Sequence, residues 1–89
     1  MNAMETQRAL KWQCRRGLLE VDLVLNHYLD EFFLEQSREQ QLLFVELLKE
    51  QDADLFEWFT QRSEPEDAEL AAYVKHILAC LAGELRPTR

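Results

Sequence analysis

The chain has 89 residues, 47% of them hydrophobic and 30% charged, which suits one globular domain and excludes a disordered segment. Its formal net charge of −7 is unevenly spread: residues 1–19 carry four cations against one anion, residues 20–69 carry 15 acidic against 3 basic side chains, and residues 70–89 carry three cations against one anion. The acidic middle repels phosphate backbones, so nucleic acid is excluded as a partner and a positively charged protein surface is favoured.

Only two glycines and two prolines interrupt a sequence dominated by Leu, Glu, Gln and Ala. These are good helix formers, and no β-branched run alternates with polar residues, so the expected fold is all-α, a compact five-helix bundle in a single domain over 1–89. The first helix is predicted over 5–16. Arg8, Lys11 and Arg15 form one basic stripe on it, with Leu10, Cys14, Ala9 and Trp12 on the apolar side. Gly17 then fits a left-handed C-terminal cap, with Lys11, Arg15 and Arg16 complementing the helix dipole.

The second helix is predicted over 18–36. Leu18, Val21, Leu25, Tyr28, Leu29, Phe32 and Phe33 recur as a core-facing stripe, and Glu20 and Asp22 fall in its first turn. Ser37 followed by Gln40 is a capping-box signature for a third helix over 38–50, with Leu43, Phe44, Leu47 and Leu48 inward. Asp52 and Asp54 mark a break and open a short helix over 53–61. Its Trp58 reads as core or as a partly exposed interface anchor. Ser63-Glu64-Pro65 is the next break, Ser63 reading as a helix cap. A fifth helix is predicted over 66–82, closed by Gly83 and followed by Pro87 in a frayed tail.

No apolar run approaches the roughly 20 residues that span a bilayer, so direct membrane insertion is not expected. The two cysteines make no disulfide framework and suit a reducing compartment. The basic, amphipathic N-terminus resembles an organellar presequence in composition. It runs without a break into the Arg-Gly corner, however, and holds Trp12, which reads as a packing residue. A mature, bacterial-type cytoplasmic protein is therefore expected.

Chemistry-bearing patterns are sparse. His27 and His76 lack HExxH spacing, no cysteine pair has zinc-ligand spacing, and no glycine-rich loop can cradle a phosphate. No catalytic residue, metal site or stably bound cofactor is expected. The Arg15–Glu20 segment is the most distinctive feature, because a lone glycine flanked by Arg16 and Glu20 marks a sharp corner between two helices. Local energetics account for it as a capping glycine, a cation at one helix end and an anion at the next. An exposed docking surface accounts for it as well.

Resemblance decides between the two. Arg16-Gly17-Leu18-Leu19-Glu20 matches the RGxxE motif of the SdhE-type FAD assembly factors. Trp12-x-Cys14-Arg15-Arg16-Gly17 resembles that family's approach to the corner, and Glu20-Val21-Asp22 its exit. Asp52-Ala53-Asp54-Leu55-Phe56-Glu57-Trp58 and Pro65-Glu66-Asp67-Ala68-Glu69-Leu70 are similar to two further segments, so the likeness covers about residues 8–78. It implies a five-helix bundle and a chaperone-like assembly factor, not an enzyme. Such a factor binds the flavoprotein subunit of succinate dehydrogenase, and of fumarate reductase, and promotes covalent attachment of FAD. FAD is then carried by the partner, and the factor is expected to act as a monomer. The implied partner-binding residues are Arg16, Gly17 and Glu20, with Trp12, Arg15 and Asp22 secondary. Arg16 is expected to offer its planar donor fork to the partner. Relatives of the family also suggest an alternative, an antitoxin-like antagonist of a small membrane-associated toxin.

Overall fold

A computed structural model of the chain describes residues 2–83. Helix α1, Ala3–Leu10, starts where the Asn2 side chain accepts the Glu5 amide at 2.8 Å, a standard N-cap. It tightens into a 3-10 turn, Lys11–Cys14, and ends at Arg15, whose backbone is extended. The helical stretch therefore begins and ends two residues earlier than the predicted 5–16. Leu10 and Cys14 take the inward positions. Trp12, two residues from either, falls on the opposite side and is 73% exposed, so its expected packing role is overturned.

Helix α2, Leu19–Glu31, buries Val21, Leu25, Tyr28 and Leu29. Leu18, expected inward, is instead the N-cap residue and is 38% exposed. The predicted helix over 18–36 breaks at Phe32, where φ is −124°, and resumes as a 3-10 turn, Phe33–Glu35. That break turns two consecutive phenylalanines, Phe32 and Phe33, into the core together.

Helix α3, Arg38–Leu47, carries the predicted reciprocal cap: the Gln40 amide donates to Ser37 Oγ at 3.2 Å, and the Ser37 amide to Gln40 Oε1 at 3.3 Å. It stops three residues short of the predicted end. Helix α4, Asp52–Phe59, follows, and Gln61 then turns the chain in the left-handed region with φ 62°. Helix α5, Ala68–Leu81, is capped by Asp67, whose carboxylate accepts the amides of Glu69 at 2.8 Å and Leu70 at 3.1 Å. The cap assigned to Ser63 thus belongs to Asp67, and Pro65 is buried ahead of the helix. Gly83 ends α5 with φ +83°, while Pro87 and the predicted frayed tail lie outside the described residues.

Among the described residues the fold is five α-helices with no strand. The 3-10 turn after α1, α4 and α5 all pack on α2. Tyr28 sits at the centre, with its ring 5.4 Å from Phe44, and the Tyr73 hydroxyl donates to its hydroxyl at 3.2 Å. Fully burying aromatic and leucine side chains of this kind stabilises a fold by about 1.5–3 kcal/mol each. No charged side chain among the described residues is fully buried, so every candidate site is a surface feature. No described helix is long and apolar enough to cross a membrane.

Candidate functional site

Between the first 3-10 turn and α2 the backbone of residues 15–18 makes the predicted corner. Arg15 and Leu18 are both extended, with φ/ψ of −86°/113° and −104°/127°. The corner is pinned from two sides. The Arg16 amide donates to Asp22 Oδ2 at 3.2 Å, and the Gly17 amide donates to Asp52 Oδ2 at 3.0 Å. Asn26 Nδ2 reinforces the first contact by donating to Asp22 Oδ1 at 3.0 Å and to the Cys14 carbonyl at 2.9 Å.

Gly17 does not have the left-handed backbone expected of a helix cap; among the described glycines only Gly83 does. A β-carbon placed on Gly17 would meet Asp52 Oδ2 at 3.5 Å, an ordinary contact. Neither backbone conformation nor internal space therefore calls for a glycine at this exposed position.

The Arg16 guanidinium faces inward. Its Nε donates to the Gln13 carbonyl at 2.9 Å, its Nη1 to the Glu50 carbonyl and to Asp52 Oδ1, both at 3.2 Å, and its Nη2 to the Leu48 carbonyl. The side chain is 14% exposed. The fork expected to reach a partner is occupied within the chain. The carbonyls that follow α3 have no helical donors, and a planar guanidinium can serve several at once. Glu20 projects from the first turn of α2, is exposed, and makes no ion pair with Arg16. Leu19 beside it is 67% exposed.

The secondary candidates gather in one open groove of about 590 Å³, lined by Arg8, Lys11, Trp12, Arg15, Asp22 and Asn26. The Arg15 guanidinium lies 5.4 Å from the Trp12 ring centroid, a cation–π arrangement at the surface. Lys11 Nζ pairs with Asp30 at 2.7 and 2.8 Å. Both groups of that pair are about half exposed, so it adds little stability. Trp12 and Arg15 thus face outward, and Asp22 faces the corner backbone. Trp58 is half-buried at a separate hollow between α4 and α5.

The site offers surface and charge, not reactive groups. Cys14 lies fully buried beneath the corner, and burial pushes its thiol up to about 12, which suppresses the nucleophilic thiolate. Among the described residues no group of three or more His, Cys, Asp or Glu could hold a metal ion. Asp52 is the member of this site that the sequence marks as a helix-opening residue and as part of the Asp52–Trp58 likeness, with no link to the corner. Its contacts lie 35 and 36 residues away, so no local pattern signals them.

Comparison with known proteins adds to this geometry. Residues 8–81 match the family model described as "Flavinator of succinate dehydrogenase". The chain is 39% identical over 77 residues to the FAD assembly factor SdhE of Idiomarina loihiensis, covering 86% of each chain. It is 44% identical over 77 residues to that of Pseudomonas aeruginosa, covering 85% of this chain and 92% of the relative. The Aliivibrio fischeri factor is 36% identical over 86 residues, 97% of this chain and all of the relative. All three relatives are named as assembly factors.

Proposed function

The chain belongs to the family of flavinators of succinate dehydrogenase, and from that premise we propose that it promotes covalent attachment of FAD to the flavoprotein subunit of that enzyme, and of fumarate reductase, by docking on the subunit as a monomer. Arg16, Gly17 and Glu20 form the docking corner. Gly17 and Glu20 touch the partner, and Arg16 shapes the corner from inside. Trp12 and Arg15 extend the contact along the neighbouring groove, and Asp22 holds the corner backbone.

The observation that carries this reading is Gly17. It is exposed, lies outside the left-handed region and has room for a β-carbon, so the need for a bare backbone comes from outside the chain. A side chain there would hold the partner surface away. FAD, carried by the partner, supplies the redox chemistry. This chain contributes differential affinity: it binds most tightly the flavoprotein conformation in which the acceptor histidine and the flavin meet in attack geometry. A preference of about 100-fold for that conformation corresponds to about 2.7 kcal/mol.

The Gly17→Arg variant tests the reading. It is expected to keep its helicity and melting temperature while losing its complex with the purified flavoprotein subunit in a pull-down. Normal complex formation by the folded variant would contradict the docking role.

A further inference from the structure

Asp52 is the first residue of α4, a position where a carboxylate is ordinarily explained by the helix dipole. Asp54 stands in the same first turn and supplies a carboxylate to the same dipole. Asp52 does something Asp54 does not. Its Oδ1 accepts from Arg16 Nη1 at 3.2 Å, and its Oδ2 accepts the Gly17 amide at 3.0 Å. Both oxygens therefore serve the corner, while α4 itself starts without a side-chain cap at Gln51. The carboxylate is 29% exposed, and charge-assisted bonds in such partly shielded places are stronger than neutral ones.

Two consecutive amides, those of Arg16 and Gly17, are thereby held by aspartates from two different helices, Asp22 on α2 and Asp52 on α4. Asp22 lies six residues from Arg16, so α2 alone can organise that half of the corner. Asp52 ties the other half to α4 and fixes how Gly17 sits above the bundle. With its N–H engaged inward, Gly17 can offer a partner only its Cα and its carbonyl oxygen.

We propose that Asp52 is a positioning residue for flavoprotein docking, holding the Gly17 backbone and the Arg16 guanidinium in the one arrangement the partner surface accepts. The proposal rests on the docking role of the corner. It assigns Asp52 no contact with the partner, only the placement of residues that make contact.

The test compares Asp52→Asn with Asp54→Asn, which removes the same charge from the same helix end. The amide replaces one carboxylate oxygen by a donor and removes the charge, so it cannot give Arg16 and Gly17 an oxygen each. Two readouts are taken. The first is the amide resonance of Gly17 in the free protein, easily assigned because the chain has two glycines. The second is the Kd for the purified flavoprotein subunit, measured well below the melting temperature of every variant. Asp52→Asn is expected to move the Gly17 resonance, leave that of Gly83 in place, and weaken docking by about tenfold or more, while Asp54→Asn stays within about twofold of the parent. A Gly17 resonance that ignores Asp52→Asn overturns the inference whether or not docking occurs. A moved resonance with unchanged Kd makes Asp52 merely structural and also overturns it. Failure of the parent chain to bind the flavoprotein at all sinks the docking reading first, and the inference with it.

Discussion

The guanidinium of Arg16 donates to the carbonyl oxygen of Leu48, 32 residues away, and so caps the C-terminal end of α3 from across the fold. Helix ends leave carbonyls without donors, and here one side chain serves both Leu48 and Glu50. The residue that heads the RGxxE motif is therefore also a brace between the corner and the α3–α4 connection.

Removing that brace should be felt as instability. Arg16→Ala leaves the Leu48 and Glu50 carbonyls and the Asp52 carboxylate short of donors, and is expected to cost about 2 kcal/mol of unfolding free energy. Arg16→Lys should recover only part, because a compact ammonium cannot span the same acceptors. Urea denaturation measures both. An unchanged midpoint for Arg16→Ala would show that the inward contacts contribute nothing.

Gly17→Ala should separate stability from function in the opposite direction. The position lies outside the left-handed region and tolerates a β-carbon. The substitution is expected to stabilise the fold by about 0.4–1 kcal/mol through the unfolded chain's lost freedom, while weakening flavoprotein binding. A variant that is more stable and binds equally well would remove the reason for the glycine.

These two residues also mark where local sequence signals stop. The helices follow from apolar spacing, and the Ser37–Gln40 cap and the Gly83 terminator form as read, because each involves neighbours within one turn. Signals fail where several nearby residues compete: Asp67 takes the cap that suited Ser63, and Leu10 and Cys14 take the inward positions and leave Trp12 outside. They fail more deeply for Arg16, whose acceptors between the end of α3 and the start of α4 lie 32 to 36 residues away. The motif marks that residue as important, but only the packed helices show which way it points.

The thiols provide a check on the core. Cys14 is fully buried and its thiol is pushed up to about 12 by burial, so the reactive thiolate is scarce in the folded protein near neutral pH. Cys14 is expected to resist iodoacetamide in the folded protein and to react readily in urea, as read by mass spectrometry. Fast native-state alkylation of Cys14 would contradict its placement beneath the corner.

His76 predicts a pH response. Burial holds its imidazole below the ordinary histidine range, where it stacks on Tyr73 at 6.0 Å with Nε2 2.8 Å from Gln36 Oε1. Since the folded form binds the proton less well than the unfolded chain, this contribution is present above about pH 6.5 and declines as pH falls through that value. Urea midpoints at about pH 7.5 and about pH 5.5 should differ less for His76→Gln than for the parent chain. An equal pH dependence in both would remove His76 as the cause.

Promotion of flavin attachment on the partner is the activity proposed for this chain. Its most direct test is covalent FAD on the succinate dehydrogenase flavoprotein subunit, read by in-gel fluorescence after denaturation, with the subunit produced in the presence and absence of this chain. Strong fluorescence with the chain and weak fluorescence without it is the predicted result. Equal fluorescence in both would rule out that role for the chain.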